Sequence, residues 1–333
     1  MKKKILFLTT GGTIASEESA EGLIPAMDGN EMFAALGCWA SAYSITVRDI
    51  LNLDSSNVQP EEWQLMAAAI EKGCREGYDG IVVSHGTDTM AYSTSALSFM
   101  LQGLPIPVVF TGAQLPLMDP LTDGVENLRT AFAMASTGVS GVFLAFDRKV
   151  ILGTRATKTR TSGFDAFESI NCHNLAVTST EGLKLNRFLL EQLPKGELTV
   201  RERLCTDVFL LKLIPGTKPE LFEALWEMGY RGLVIEAFGC GGIHFERRDL
   251  PAALHKVIEK GMQVVVRSQC FYETSDLTTY QVGLKLLEAG VIPARDMTCE
   301  AAVTKLMWAL GNFDTARQVR DCFAVNLAGE IGL

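Results

Sequence analysis

Short apolar runs rich in Val, Ile, Leu and Phe alternate with stretches of helical spacing along most of this 333-residue chain, and that alternation admits few architectures. The runs fall at 5–9, 45–51, 80–84, 107–111, 142–146 and 175–178. Strands that are apolar on both faces need cover on both faces, so they belong in a parallel sheet flanked by helices. Pro60 suits a first helical position, and Trp63, Met66, Ala67, Ile70 and Cys74 follow the three-four spacing of an amphipathic helix that Gly77 is placed to end. Further helices are expected over 90–101 and 125–134. From 188 to 203 the text turns polar, with Pro194, Lys195 and Gly196, and loses its periodicity. The alternation then resumes: strand 208–214, helix 221–228, strand 233–238, helix 250–259, strand 263–268. At the end, Thr298 is a candidate N-cap before a helix over 301–310, Gly311 a terminator, and Asp314 the start of another helix. The expected fold is two-domain α/β: a larger N-terminal, mostly parallel sheet with flanking helices over 1–190, a linker at 191–206, and a smaller C-terminal α/β domain over 207–333.

Charge and cysteine usage narrow the function classes. A formal net charge of -9 gives phosphate backbones and anionic lipid nothing to hold, so neither nucleic acid nor a membrane surface is expected as partner. The eight cysteines are scattered, without a Cys-x-x-Cys pair or a histidine at ligand spacing, so no metal site is expected. They read as reduced thiols of a cytoplasmic protein. The apolar run after the basic start ends at Thr9, short of a signal-peptide core of ~7 to 15 residues, and no run reaches the ~18 residues of a membrane span.

Ligands of open parallel sheets bind beyond the carboxyl ends of the strands, which directs attention to the loops there. Thr10-Gly11-Gly12-Thr13-Ile14-Ala15 follows the first strand and His85-Gly86-Thr87-Asp88-Thr89 the third. Each offers a threonine beside glycines that let a ligand approach the backbone, although glycines after strands also simply make turns. The first loop carries neither a dinucleotide fingerprint nor a P-loop, and Gly239-Cys240-Gly241-Gly242 lacks the last fingerprint glycine at His244. A threonine hydroxyl needs a base and an oxyanion site before it attacks an amide. Lys158, in Thr157-Lys158-Thr159-Arg160, can serve as proton acceptor if buried, or stand as a solvated loop charge. Asp88 can cap the helix that follows or hold a ligand ammonium group. Ser55 and Ser56, before Pro60, read as helix-entry residues or as ligand contacts. Ser84, His85 and Asp88 are too close in sequence for a triad, so His85 reads as structural.

The two loop motifs resemble the signature pair of the bacterial-type L-asparaginase (asparaginase/glutaminase) family, cytoplasmic type I. The likeness extends through Asp54-Ser55-Ser56, Thr111-Gly112-Ala113-Gln114, Thr157-Lys158-Thr159, Gly163-Phe164-Asp165-Ala166-Phe167, and Met297-Thr298-Cys299-Glu300-Ala301-Ala302 with Thr304-Lys305-Leu306. It implies hydrolysis of L-asparagine to L-aspartate and ammonia without a metal or organic cofactor, in a homodimer or homotetramer. By motif match Thr13 is the nucleophile, and Thr87, Asp88 and Lys158 form the second catalytic group. Asp88 and Thr87 meet substrate, Ser55 and Ser56 receive its α-carboxylate with Asp54 in the same tripeptide, and the Ala113 carbonyl accepts from the leaving nitrogen. Where many relatives carry a lid tyrosine this chain has Leu23, in a polar stretch at 16–29 expected to form the lid. Glu273 lies near the acid that exported relatives supply from a neighbouring subunit, and reads equally as an exposed loop acid. Glu236, Cys270 and Thr157 lie near where some cytosolic relatives bind a second asparagine. The rival readings are an ammonia-releasing subunit of a tRNA-dependent amidotransferase, which usually carries an extra N-terminal domain, and a non-catalytic amino-acid sensor on the same fold.

Overall fold

A computed structural model describes residues 2–19, 22–25, 27–35 and 37–332, and the chain divides into two units, Met1–Glu202 and Arg203–Leu333. The first enters as β1 (Lys4–Gly11), turns through a 3-10 helix at Thr13–Ala15, and folds back as a hairpin of β2 (Ser16–Ser19) and β3 (Gly22–Pro25). The stretch expected to be a polar lid is therefore largely paired backbone. Next come α1 (Gly29–Ala35), β4 (Ser44–Leu53), α2 (Pro60–Arg75), β5 (Gly80–Ser84) and α3 (Met90–Met100). After the two-residue β6 (Leu101–Gln102) follow β7 (Pro107–Thr111), α4 (Gly124–Ala135) and β8 (Gly141–Phe146). The unit continues with β9 (Lys149–Leu152), β10 (Ala156–Lys158), β11 (Phe167–Ser169), β12 (Ala176–Ser179) and β13 (Gly182–Leu185). It ends with α5 (Arg187–Gln192) and β14 (Thr199–Val200), which pairs with β6 inside the stretch read as linker.

Among the described residues, eight strands form one sheet in the order β13-β12-β9-β8-β7-β5-β1-β4. The five from β4 to β8 run parallel. β5 and β7 are buried at every residue, which explains their unbroken apolar text. The strand expected at 175–178 lies instead in an antiparallel extension. Asp147 and Arg148, both at positive φ (47° and 61°), turn β8 straight back into β9, a reversal too short for a crossover helix. Counted along the chain, the parallel strands stand in the order 2-1-3-4-5. Connections leave the first and third strands toward opposite sides, which opens a crevice at their carboxyl ends.

α2 forms as its sequence asks: Pro60 at the first turn, Gln59 and Glu62 in a capping box, Trp63, Met66, Ala67 and Ile70 buried, and Gly77 at φ 78° beyond its end. α3 differs, since nearly every residue is buried and its hydroxyls bond inward.

The second unit is a parallel sheet, β15-β16-β17-β18, built by β15 (Val208–Lys212), α6 (Glu220–Glu227), β16 (Gly232–Ala237), α7 (Leu250–Glu259), β17 (Gln263–Ser268), α8 (Gln281–Glu288) and β18 (Ile292–Pro293). α9 (Cys299–Asn312) and α10 (Ala316–Ala324) complete it. Thr298 caps α9 by accepting from the Ala301 amide at 3.0 Å. Two sequence expectations give way at this end of the chain. Gly311 lies within α9, where a Cβ would sit 2.6 Å from the Arg203 carbonyl oxygen, so close packing and not termination explains the glycine. The last helix is capped by Thr315 with Gln318, not opened by Asp314. No described helix is long and apolar enough to cross a membrane.

Lys305, in α9, forms an ion pair with Glu330 in which both side chains are 0% exposed. Its Nζ also donates to the Val325 carbonyl at 2.9 Å, and the Glu330 carboxylate accepts the Leu327 and Ala328 amides at 3.0 and 2.7 Å. The C-terminal segment is thus tied to α9 by one buried charge pair. Breaking such a pair strands a charge, at a cost of about 3 to 5 kcal/mol. Lys305→Met should lower the denaturant midpoint of the second unit accordingly, and adding Glu330→Leu should recover most of the loss. A single variant as stable as wild type would contradict this.

Candidate active site

The carboxyl edge of the parallel strands is closed by loops that touch through backbone. A Cβ on Gly12 would lie 2.4 Å from the Gly86 nitrogen, and one on Gly86 would lie 2.6 Å from the Ser55 side chain. The loops after β1, β4 and β5 therefore meet at Gly86. Gly12 also has φ 81°, a conformation glycine adopts freely. Thr13 follows it, half-buried at the start of the 3-10 turn, and Thr87 and Asp88 follow Gly86. Both signature loops of the sequence thus converge on one point.

Lys158 arrives from elsewhere. It ends β10, held by pairing with Phe167 of β11, and its side chain is 17% exposed. Its Nζ donates to Thr87 Oγ1 at 2.8 Å and lies 2.6 Å from Asp88 Oδ1, so it is not the solvated loop charge that its flanking residues permit. Asp88 is not the cap of α3, since Thr89 holds that place without a side-chain bond. Its side chain is 61% exposed, with one oxygen on Lys158, which leaves room for a ligand cation.

Ser55 and Ser56 divide. Ser55 is buried, accepts the Asp88 amide at its hydroxyl (3.2 Å), and receives the Thr89 hydroxyl on its carbonyl (2.7 Å). The helix-entry role that their position suggests falls to Gln59, while Asp54 caps the single 3-10 turn at Ser55–Asn57. The Ser56 hydroxyl donates to Asp54 at 2.6 Å and its amide at 2.8 Å, and these bonds hold the Asp54 carboxyl below the ordinary aspartate range. Ala113 is buried beside the β5 loop, because a Cβ on its neighbour Gly112 would lie 2.3 Å from the His85 carbonyl.

His85 is structural, as its place at a strand end suggests. It is 0% exposed, and its Nδ1 lies 2.7 Å from the Gly86 carbonyl, an acceptor, so that nitrogen carries the proton. Nε2 then accepts from Ser93 at 3.0 Å, and Ser93 accepts the Trp63 indole N–H at 2.9 Å. Burial pushes the imidazole down to about 4.

Gln114, quoted in the sequence only as part of its motif, also reaches the site. Thr87 Oγ1 lies 3.4 Å from its Oε1, and its Nε2 donates to the Thr161 and Gly163 carbonyls at 3.2 and 3.0 Å. The other residues singled out in the sequence are placed as follows. Glu273 is an exposed loop acid at φ 76°, Cys270 is exposed, and Glu236 pairs with Arg267 on the neighbouring strand. Thr157 is buried next to Lys158 on β10, and the Leu23 side chain and residue 21 fall outside the described residues. Among the described residues, no group of three or more His, Cys, Asp or Glu is placed to hold a metal ion.

Residues 4–190 match the family model described as asparaginase, N-terminal, and 207–323 that described as glutaminase/asparaginase C-terminal domain. An L-asparaginase of Thermococcus kodakarensis is 42% identical over 98% of this chain and 99% of its own length. The structure of a thermostable L-asparaginase from that organism superimposes with a TM-score of 0.92, at 41% identity and 99% coverage of both chains. L-asparaginase I of Vibrio cholerae superimposes at 0.88, with 31% identity over all of both chains. A glutamyl-tRNA(Gln) amidotransferase component of Pyrococcus furiosus is also similar, 36% identical over 98% of this chain and 76% of that protein.

The buried histidine sets a stability window. Folded His85 protonates near 4 and the unfolded ring near 6.5, so the unfolded state binds more proton between those values and stability falls as pH falls through them. The loss attributable to this residue is roughly 3 kcal/mol at the acid end. Denaturant unfolding from pH 6.5 to 4 should be steeper in pH for wild type than for His85→Gln, by about one proton. Parallel curves would show that His85 is not buried neutral.

Proposed function

The chain belongs to the L-asparaginase family of hydrolases, and from that premise we propose that it converts L-asparagine to L-aspartate and ammonia through an acyl-enzyme on Thr13. The observation that carries the mechanism is the convergence of Lys158 Nζ on Thr87 Oγ1 and Asp88 Oδ1, at 2.8 and 2.6 Å, from separate parts of the chain. A hydroxyl, an amine and a carboxylate in contact form a path along which protons can pass, and an amide cannot leave without one.

In this reading Thr13 Oγ bonds to the side-chain amide carbon, the hydroxyl proton passes to the leaving nitrogen, and the C–N bond breaks to release ammonia. Water, its proton drawn toward Thr87 and Lys158, then attacks the ester carbon. The Thr13 oxygen leaves, recovers a proton, and aspartate is released. Water is the only co-reactant, so the scheme balances without a metal or organic cofactor. The branched Cβ of Thr13 helps by restricting where its oxygen points.

Asp88 also takes the substrate α-ammonium on its exposed side, and Ser55 and Ser56, with Asp54 beside them, take the α-carboxylate. The Ala113 carbonyl accepts from the leaving nitrogen. Fixing both α-groups orients a small substrate, an effect that contributes several kcal/mol at the barrier. All eight cysteines are thiols, which supports a reducing, cytoplasmic setting, and we place the enzyme there as a homodimer or homotetramer. The amidotransferase likeness supports a second reading, in which the same groups release ammonia for a partner enzyme.

Ammonia release from L-asparagine and L-glutamine by the purified chain decides between these. Asparagine turnover is expected, with kcat lowered by on the order of a thousandfold or more in Thr13→Ala and Lys158→Met. Folded protein that binds asparagine without releasing ammonia would overturn the hydrolase reading in favour of a sensor. Turnover that needs a second, partner protein would favour the amidotransferase reading.

A further inference from the structure

We infer that Gln114 is a positioning residue, which aims the Thr87 hydroxyl proton and is itself aimed by Asp123; the inference rests on the Thr87, Lys158 and Asp88 reading above. Thr87 has one proton and two neighbours able to share it. Lys158 donates to Thr87 Oγ1 at 2.8 Å while also engaged with Asp88, so the Thr87 oxygen is an acceptor toward the lysine. Its own proton then falls to Gln114 Oε1 at 3.4 Å, a long hydrogen bond that a small movement breaks. The carboxamide oxygen is free for this because its nitrogen is committed elsewhere. Both Thr161 and Gly163 carbonyls accept from Nε2, and the carboxamide oxygen has no hydrogen to offer them, so the amide orientation is fixed. Those two carbonyls belong to the loop after β10, the strand that carries Lys158. Gln114 thus holds the hydroxyl and the lysine's loop in one frame.

The backbone of Gln114 is held in turn. Asp123 precedes α4 in the N-cap position, yet makes no side-chain cap bond to the helix. Its carboxylate accepts the Gln114 amide at 3.0 and 3.1 Å and the Leu115 amide at 3.2 Å. Asn127 Nδ2 bonds both that carboxylate (2.9 Å) and the Gly112 carbonyl (3.0 Å). A cap is worth about 1 kcal/mol to a helix, and the aspartate that could supply it is turned onto the loop after β7. The sequence places a helix-capping residue type in the service of the site.

The resting hydrogen bond to Gln114 keeps the Thr87 proton away from the lysine until substrate or water redirects it. Replacing Gln114 with Ala leaves the Thr87 proton without this acceptor, so kcat should fall about ten- to a hundredfold with KM within about twofold, since Gln114 is not required to touch substrate. The half-maximal pH of kcat should move by about half a unit or more, a shift that loosened folding alone would not produce. Gln114→Glu keeps an acceptor oxygen at the same reach but sets its other oxygen against the Thr161 and Gly163 carbonyls, so it should lose the aim of the side chain and be impaired about as much as alanine. Gln114→Met serves in place of the alanine variant if that one fails to fold. An unchanged kcat and pH profile, a rise in KM alone, or a glutamate variant with wild-type kcat would each overturn the inference. Lys158→Met run beside them separates the failures. If it keeps asparagine turnover, the underlying reading is wrong; if it is inactive while Gln114→Ala is normal, only the role of Gln114 is wrong.

Discussion

Everything in the site hangs on a backbone contact that tolerates no side chain. A Cβ on Gly12 would overlap the backbone of Gly86, and a Cβ on Gly86 would overlap the Ser55 side chain. Parallel strands are spaced by their hydrogen bonds, and loops leaving adjacent carboxyl ends are ordinarily kept apart by side chains. Removing the Cβ on two of them lets the chains touch, and the residues next in line, Thr13 and Thr87, are carried in with the backbone. Because β1 and β5 are paired in register, with Thr9 opposite Ser84, the two loops start at the same height. The chemistry is thus positioned by sheet register first, by glycine contact second, and by side-chain bonds last.

The same hierarchy explains how much could be read from the amino-acid text. β5 and β7 begin and end where the apolar runs do, because both are buried on both faces and periodicity has no competitor there. α2 was equally legible through Pro60 and the spacing of Trp63, Met66, Ala67 and Ile70, and α7 falls where the resumed alternation places it, at 250–259. What escaped were elements decided by contacts distant in sequence. The reversal into β9 rests on two residues at positive φ that are neither glycine nor asparagine, a weak local signal. Gly311 reads as a helix stop and is in fact a packing gap against Arg203. In the site, the two loop motifs carried Thr13, Thr87 and Asp88, but the motif alone left the lysine as either surface charge or proton carrier. Only β10 pairing with β11 turns Lys158 inward. Gln114 and Asp123 were invisible as a pair, since eight residues of irregular loop separate one from the other.

His85 and Lys158 are both basic side chains of this loop system, and their environments set them apart. His85 is enclosed on all sides, with both nitrogens spent on Gly86 and Ser93 and no carboxylate at hand; desolvation therefore drives it to the neutral form, where it is a hydrogen-bonding strut between strand, helix and loop. A ring whose two nitrogens are occupied cannot also shuttle protons, whatever its intrinsic titration range. Lys158 keeps some solvent, an aspartate at its side and a hydroxyl in front, so its amine stays in contact with Thr87 and Asp88. The proposed mechanism thus inverts the usual expectation, in which histidine is the acid-base group and lysine the anchor. The difference follows from burial: the residue on the buried strand end is scaffold, and the one on the short β10 hairpin is left able to carry a proton, as the proposed mechanism asks.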